Sequence, residues 1–287
     1  MNRDATQTAI GPMVIVAAEQ YEPAPLIRDP WARYLLPAGA RLAAAAARWS
    51  VARHSLMAAT DKKFPGGWAS FLCRKRYIDD CLHEGLRSGI ESVVILGAGY
   101  DTRAYRIPEL TEMAVCEVDL PANIAAKTAA VRRTFGDVPP HVTLLPMDFE
   151  ADELSTRLLS DAGFDQSRPV FYIWEAVTQY LTEAAVRTTM DYLSGAASGS
   201  ALAFTYVRKD FLDGRETYGA PNAYREFVTK DLWKFGWAPQ EVAPFLAEYG
   251  WTERDHVGEV EYRQRYLVPA GRTLAASPIE RAVHARR

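Results

Sequence analysis

The chain has 287 residues, 48% apolar and 24% charged, with a formal net charge of −3. That is the composition of a globular chain able to bury a sizeable core, and its slight acidity argues against a general nucleic-acid binder, which carries a basic surface. Cys73, Cys81 and Cys116 lack metal-ligand spacing, the histidines form no pair, and no apolar run approaches the roughly 18 residues of a membrane span; a reduced cytoplasmic protein without metal or membrane contact is expected, its oligomeric state open.

Residues 9–20 are the first periodic stretch, after which Pro23, Pro25 and Pro30 break the chain into extended pieces. Asp29-Pro30 reads as an N-cap followed by a first-turn proline. An alanine-rich helix is expected over 38–60, with Leu42, Trp49, Leu56 and Met57 on its apolar face. A loop at 61–67 leads to a long helix at 68–88, whose inner face carries Phe71, Leu72, Ile78, Leu82 and Leu86 and which Arg74, Lys75, Arg76, Asp79 and Asp80 decorate. Strands follow at 92–96, 113–118, 142–146, 169–174 and 200–207, alternating with helices at 121–134, 151–162 and 182–197. This alternation predicts a parallel sheet with helices on both faces. Residues 208–238 interrupt it with a charged, aromatic segment that reads as a lid. A helix at 239–249 and strands near 251–257 and 261–268, joined at Gly258, are expected to close the sheet as an antiparallel hairpin. Residues 270–287 are left as a mobile tail, with Arg281, Arg286 and Arg287 in solvent. The expectation is one α/β domain with a Rossmann-like, seven-stranded, mostly parallel sheet. It comprises a helical cap (1–90), a cofactor-binding core (91–207), the lid, a closing helix and hairpin (239–269) and the tail.

The chain is organised around Val93-Val94-Ile95-Leu96-Gly97-Ala98-Gly99-Tyr100-Asp101. A β-branched run enters a Gly-x-Gly turn, where missing Cβ atoms permit a tight bend and a close ligand. Such a turn also serves as a plain strand-to-helix connection. The next strand ends in Glu117-Val118-Asp119, acids able to accept from ribose hydroxyls. Thr102 stands where the dinucleotide fingerprint has its third glycine, so a pyrophosphate lacks its close approach. Asp101, Asp119, Asp148 and Glu175 follow the ends of successive strands and are expected to converge on one edge of the sheet. Alone, Asp148 and Glu175 read equally as helix N-caps, and Asp119 less so. Together they suit a cationic ligand with a ribose and no phosphate, a description that S-adenosylmethionine (SAM) meets.

The stretch Ile95-Leu96-Gly97-Ala98-Gly99-Tyr100-Asp101-Thr102-Arg103-Ala104-Tyr105-Arg106 resembles the first motif of the leucine carboxyl methyltransferase-like family. This is a branch of the class I SAM-dependent methyltransferases whose bacterial members include O-methyltransferases of polyketide pathways. Glu117-Val118-Asp119-Leu120-Pro121 with Lys127 resembles its second motif. Trp174-Glu175-Ala176-Val177-Thr178-Gln179-Tyr180-Leu181-Thr182 resembles its Glu-Gly-Val-Thr-x-Tyr-Leu-Thr segment, with Ala176 in place of glycine. Leu26-Ile27-Arg28-Asp29-Pro30 and Arg76-Tyr77-Ile78-Asp79-Asp80 also match. The resemblance covers residues 9 to 268 and implies roles. Arg76 would grip the methionyl carboxylate through a guanidinium fork, although on the residues alone it is a surface arginine of an amphipathic helix. Gly97, Ala98, Gly99 and Asp101 would carry the loop against the cofactor. Asp119 and Leu120 would hold the ribose, with Glu117 as competitor. Asp148 and Phe149 would take the adenine, and Glu175 the cationic methionyl side.

Methyl transfer from a sulfonium is an in-line displacement that asks mainly for positioning and desolvation. A carboxylate acceptor needs no general base, whereas a hydroxyl usually does. His54 and His83 lie on N-terminal helices and His141 precedes a strand, so carboxyl methylation is favoured over hydroxyl methylation. Tyr206, ending the fifth strand, is expected to orient the acceptor oxygen, and Arg103 and Arg208 to hold an anionic acceptor. Phe211, Tyr218 and Tyr224 suggest a flat or apolar small molecule of secondary metabolism, or else the lid's own core. Alternatives are methylation of a protein C-terminal carboxylate, a non-catalytic SAM binder, and a nicotinamide oxidoreductase, against which Thr102 argues.

Overall fold

Buried β-branched and aromatic runs build the centre of the molecule. The computed structural model describes residues 9–158 and 164–287. Its sheet holds β1 (Ser92–Leu96), β2 (Ala114–Asp119), β3 (Val142–Pro146), β4 (Val170–Trp174), β5 (Ala201–Val207), β6 (Thr252–Val257) and β7 (Glu280–Arg286), in the order β3-β2-β1-β4-β5-β7-β6. β1 to β5 are parallel, and β7 runs antiparallel between β5 and β6. β1, β4 and β5 are buried along their whole length, as strands covered on both faces must be.

Alternation along each strand divides the core. Val93 and Ile95 face helices α1 (Ile10–Glu19) and α4 (Gly67–Arg87). Val94 and Leu96 face α6 (Glu183–Leu193) and α7 (Pro239–Glu248). The expected helix at 38–60 is two helices, α2 (Ala38–Ala46) and α3 (Ser50–Lys63). α5 (Pro121–Phe135) follows β2 with proline at its first position and ends at Gly136, which has φ +91°. The expected helix at 151–162 shows a turn at Leu154–Thr156; residues 159–162 of that span lie outside the described residues, as do residues 1–8 of the cap.

The end of the chain departs from expectation. Residues 261–268 are not a strand. Glu259–Tyr262 is helical and Arg263–Leu267 continues as a wide turn, with Val268 N donating to Arg263 O at 2.9 Å. Glu261 Oε2 accepts from Gly258 N at 2.7 Å, a carboxylate cap that starts a helix where alternation suggests a strand. The supposed tail instead supplies β7, whose Ala282, Val283 and Ala285 are completely buried. Its arginines are only partly exposed: Arg286 pairs with Glu84, and Arg281 donates through Nε to His256 Nε2 at 3.1 Å. The connection to β7 wraps the start of α4, where Ser277 N donates to Ser70 Oγ at 2.7 Å, and ties back to α1 through Arg272 and Glu19 at 2.7 Å.

In segment 208–238, Phe211, Ala220, Ala223 and Trp233 pack with Phe64 and Ile279 into a separate aromatic cluster, so its aromatics form a core of their own. Among the described residues, no His/Cys/Asp/Glu group is arranged to hold a metal, and no helix is long and apolar enough to cross a membrane.

Candidate active site

The carboxyl ends of β3, β2, β1 and β4 lie side by side and present Asp148, Asp119, the Gly97–Gly99 loop and Glu175 in that spatial order. Gly97 and Gly99 take φ +74° and +44°. A Cβ on Gly97 would stand 2.2 Å from Val177 Cγ2, so both conformation and space require glycine there. Asp119 seals the turn. Its Oδ2 accepts from Gly99 N at 2.6 Å, and its Oδ1 accepts from Leu120 N and Asn123 Nδ2, both at 2.7 Å. Burial raises its pKa against these hydrogen bonds. Ala98 is buried in the same turn, and its carbonyl accepts from Asp101 N at 2.7 Å.

Glu117 does not compete for the strand end. It is fully buried, 2.7 Å from Lys127 Nζ, and accepts from the Tyr105 hydroxyl at 3.1 Å. Burial pushes its pKa up to about 7 against the pull of Lys127. A carboxyl whose pKa rises on folding stabilises the fold fully at low pH and loses that contribution as pH climbs through its folded value. Glu117→Gln removes this titration. Measured by urea unfolding, the stability difference should move in the variant's favour between about pH 5 and pH 8; a pH-independent difference would refute the assignment.

Asp148 is half-buried. Its Oδ1 accepts from Glu150 N at 3.1 Å, the local turn-capping role open to any strand-end acid. Phe149 beside it is buried, and Met147 N donates to Asp119 O at 2.7 Å, tying the ends of β3 and β2 together.

Around Glu175 lies a buried ionic network. Glu175 accepts from Arg74 Nε at 2.9 Å, Arg103 Nη1 at 2.8 Å and Lys75 Nζ at 3.3 Å. Burial alone would raise its pKa, but Lys75, Arg103 and Arg74 hold it well below the usual carboxylate range. Asp101 pairs with Arg103 and lies 3.6 Å from Lys75; burial opposes ionisation, yet these cations bring its pKa down to about 2. Arg103 also donates to Asp79 at 2.7 Å, and Arg106 reaches the same carboxylate at 2.6 Å. Asp29 caps the Trp31 and Ala32 amides as expected and accepts from Thr102 Oγ1 at 2.5 Å. On the far side, Glu280 of β7 takes Arg74 Nη1 with both oxygens, at 3.0 and 2.7 Å.

Four expected residues sit elsewhere or are otherwise engaged. The Arg76 side chain is 48% exposed and paired with Asp80 at 2.9 Å, while Arg74 is buried at the network. Two helical steps turn a side chain through about 200°, so Arg74 and Arg76 face opposite ways. Arg103 is completely buried among three carboxylates and is not open to an acceptor. Arg208 is committed to Asp210 at 2.6 Å and lies over the Tyr218 ring. Tyr206 is completely buried against Trp237, its hydroxyl 2.8 Å from His256 Nε2. Burial and then Arg281 lower the His256 pKa to about 4.

Sequence reasoning missed Arg74, Lys75, Glu280 and His256. For Lys75 a signal existed: it falls on the Phe71, Ile78, Leu82 row of α4, the row that faces the core. Ala176, beside Glu175, has φ +58°, the left-handed conformation that suits glycine. Ala176→Gly is therefore expected to stabilise the protein by about 1 kcal/mol, strain relief exceeding the added chain entropy. An unchanged or lower urea midpoint would refute this.

Residues 9–194 match the family described as leucine carboxyl methyltransferase. A candidate S-adenosyl-L-methionine-dependent methyltransferase of Mycolicibacterium gilvum is 33% identical over 209 residues, covering 71% of this chain and 65% of that protein. Another from Streptomyces coelicolor is 30% identical over 247 residues, covering 84% of this chain and 79% of the other. The chain aligns with 61% to 65% of the length of several curated relatives it matches. In fold it is similar to a DUF574 family protein from Streptomyces avermitilis, with a TM-score of 0.59, 14% identity and coverage of 98% of this chain and 97% of that one. A methyltransferase candidate from Thermobifida fusca gives 0.57 at 19% identity, covering 82% and 88%.

Proposed function

The chain belongs to the leucine carboxyl methyltransferase family, and from that membership and the geometry of its strand ends we propose a SAM-dependent methyltransferase that modifies an oxygen of a small-molecule acceptor, a carboxylate ahead of a hydroxyl. The observation that carries this reading is the Gly97–Gly99 turn sealed by Asp119, with the buried Arg74–Glu175 pair at the neighbouring strand end. These residues suit SAM. Asp119 would hold the ribose hydroxyls beside Leu120, with Asp148 and buried Phe149 at the adenine side. Arg74, in place of Arg76, would take the methionyl carboxylate, and Glu175 and Asp101 the ammonium. The sulfonium supplies an electrophilic methyl group; the protein aligns the two reactants and excludes water.

A dinucleotide is disfavoured because Thr102 is committed to Asp29, in the place where a third glycine would admit a pyrophosphate. A carboxylate acceptor is favoured because His256 is a weak base whose Nε2 already accepts from Arg281 Nε. The setting proposed is secondary metabolism. Calorimetry with SAM and with NAD tests the cofactor: binding of NAD without SAM would overturn the reading. Labelled SAM with a pool of small acids and phenols tests the acceptor, because a methyl ester is labile to mild base and an ether is not. Label transferred only to a protein C-terminus would favour the protein-directed alternative, and SAM binding with no turnover a non-catalytic one.

A further inference from the structure

The last strand of the sheet reaches into the ionic network through one side chain. Glu280 opens β7, directly beside Val207 at the end of β5. Its two oxygens hold Arg74 Nη1 at 3.0 and 2.7 Å, and both side chains are nearly buried, 9% and 5% exposed. Arg74 Nε goes to Glu175 Oε1, whose other oxygen is taken by Arg103 and Lys75. That leaves Nη2. Arg74 is 4% exposed, yet no described residue accepts from this nitrogen. Nη2 carries two N–H donors that no described protein group takes up, so a ligand that brings an acceptor can use them.

We propose that Glu280 is a positioning residue: by holding Nη1 it keeps the Nη2 donors of Arg74 free for the carboxylate of the methionyl end of SAM. The inference rests on the methyltransferase reading above. The reason lies in guanidinium geometry. Nε and Nη2 form the edge with which an arginine forks a single carboxylate. Without the anchor on Nη1, Arg74 is drawn into that fork on Glu175, and Nη2 is consumed within the protein. Glu280 touches no ligand in this arrangement and acts through Arg74.

The test compares two probes by calorimetry. S-adenosylhomocysteine has the amino-acid end, and 5′-methylthioadenosine has the same nucleoside without it. Glu280→Gln should weaken S-adenosylhomocysteine binding about tenfold, the worth of one charge-assisted hydrogen bond, and leave 5′-methylthioadenosine within twofold. Glu280→Asp, which keeps the charge on a shorter arm, should recover most of the loss and serves if the glutamine variant does not fold. Melting curves ensure that only folded protein is compared. Equal weakening of both probes, or none of either, overturns the inference and leaves the methyltransferase reading standing. Wild-type protein that binds neither probe overturns both.

Discussion

Arg103→Met is expected to cost about 3–5 kcal/mol of folding stability, the range found when one partner is removed from a buried ionic cluster. Arg103 has no exposed surface, and its nitrogens serve Asp79, Asp101 and Glu175 together. Methionine fills much of the same volume, so the loss is electrostatic: three buried carboxylates keep only Arg74, Lys75 and Arg106. Arg103 and Lys75 hold both Asp101 and Glu175 ionised against burial, joined by Arg74 at Glu175, so both pKa values should rise toward ordinary ones when Arg103 is lost. Lowered native pKa values stabilise the fold at neutral pH and lose that contribution as pH falls through them. The deficit of the variant should therefore be largest at neutral pH and shrink in acid. Urea unfolding at about pH 7 and about pH 3 measures it; a deficit under about 1 kcal/mol at neutral pH would mean that the network does not depend on this arginine.

Asp119→Ala is expected to weaken SAM binding by about 1–3 kcal/mol, the cost of leaving buried polar groups unpaired. The substitution removes the acceptor of Gly99 N, Leu120 N and Asn123 together, so the turn loosens as well as losing its proposed ribose contact. Glu117 cannot step in: two residues upstream in β2, it is paired with Lys127 and covered by Tyr105. Calorimetry decides between them. Unchanged affinity in Asp119→Ala with a loss in Glu117→Gln would transfer the ribose role.

The parallel half of the fold was legible because its strands are short, largely apolar runs, and three of them, β1, β2 and β4, stop at a glycine or an acid. The antiparallel half was not. Glu280-Arg-Ala-Val-His-Ala-Arg shows charge at both ends and small side chains between, the look of a surface tail. Its apolar residues are small because it is wedged between β5 and β6, with Val283 and Ala285 in the same core as Phe204 and Trp251. The adjacent stretch misled in the opposite sense: Val260, Tyr262 and Tyr266 fall on alternate positions, while Glu261 caps a helix start at Gly258.

The site divides in the same way. Strand-end acids are visible to anyone who places the strands, and Asp119 and Glu175 stand at the edge as expected. The partner cation was misassigned because Arg74, Lys75 and Arg76 are consecutive, and only the phase of α4 against the sheet decides which face inward. His256 and Glu280 belong to strands whose pairing had to be known first.

The order in which the chain is made bears on when it can work. β6 pairs with no described strand but β7, and β5 needs β7 on its outer side. During synthesis both therefore wait with bare edges until residues 280–286 have left the ribosome, an interval in which an unpaired edge can recruit a stray strand. A nascent chain stalled shortly before that point holds every glycine and acid of the cofactor edge and still lacks the carboxylate that steadies Arg74. Premature chains should accordingly be sticky, and so targets for chaperones.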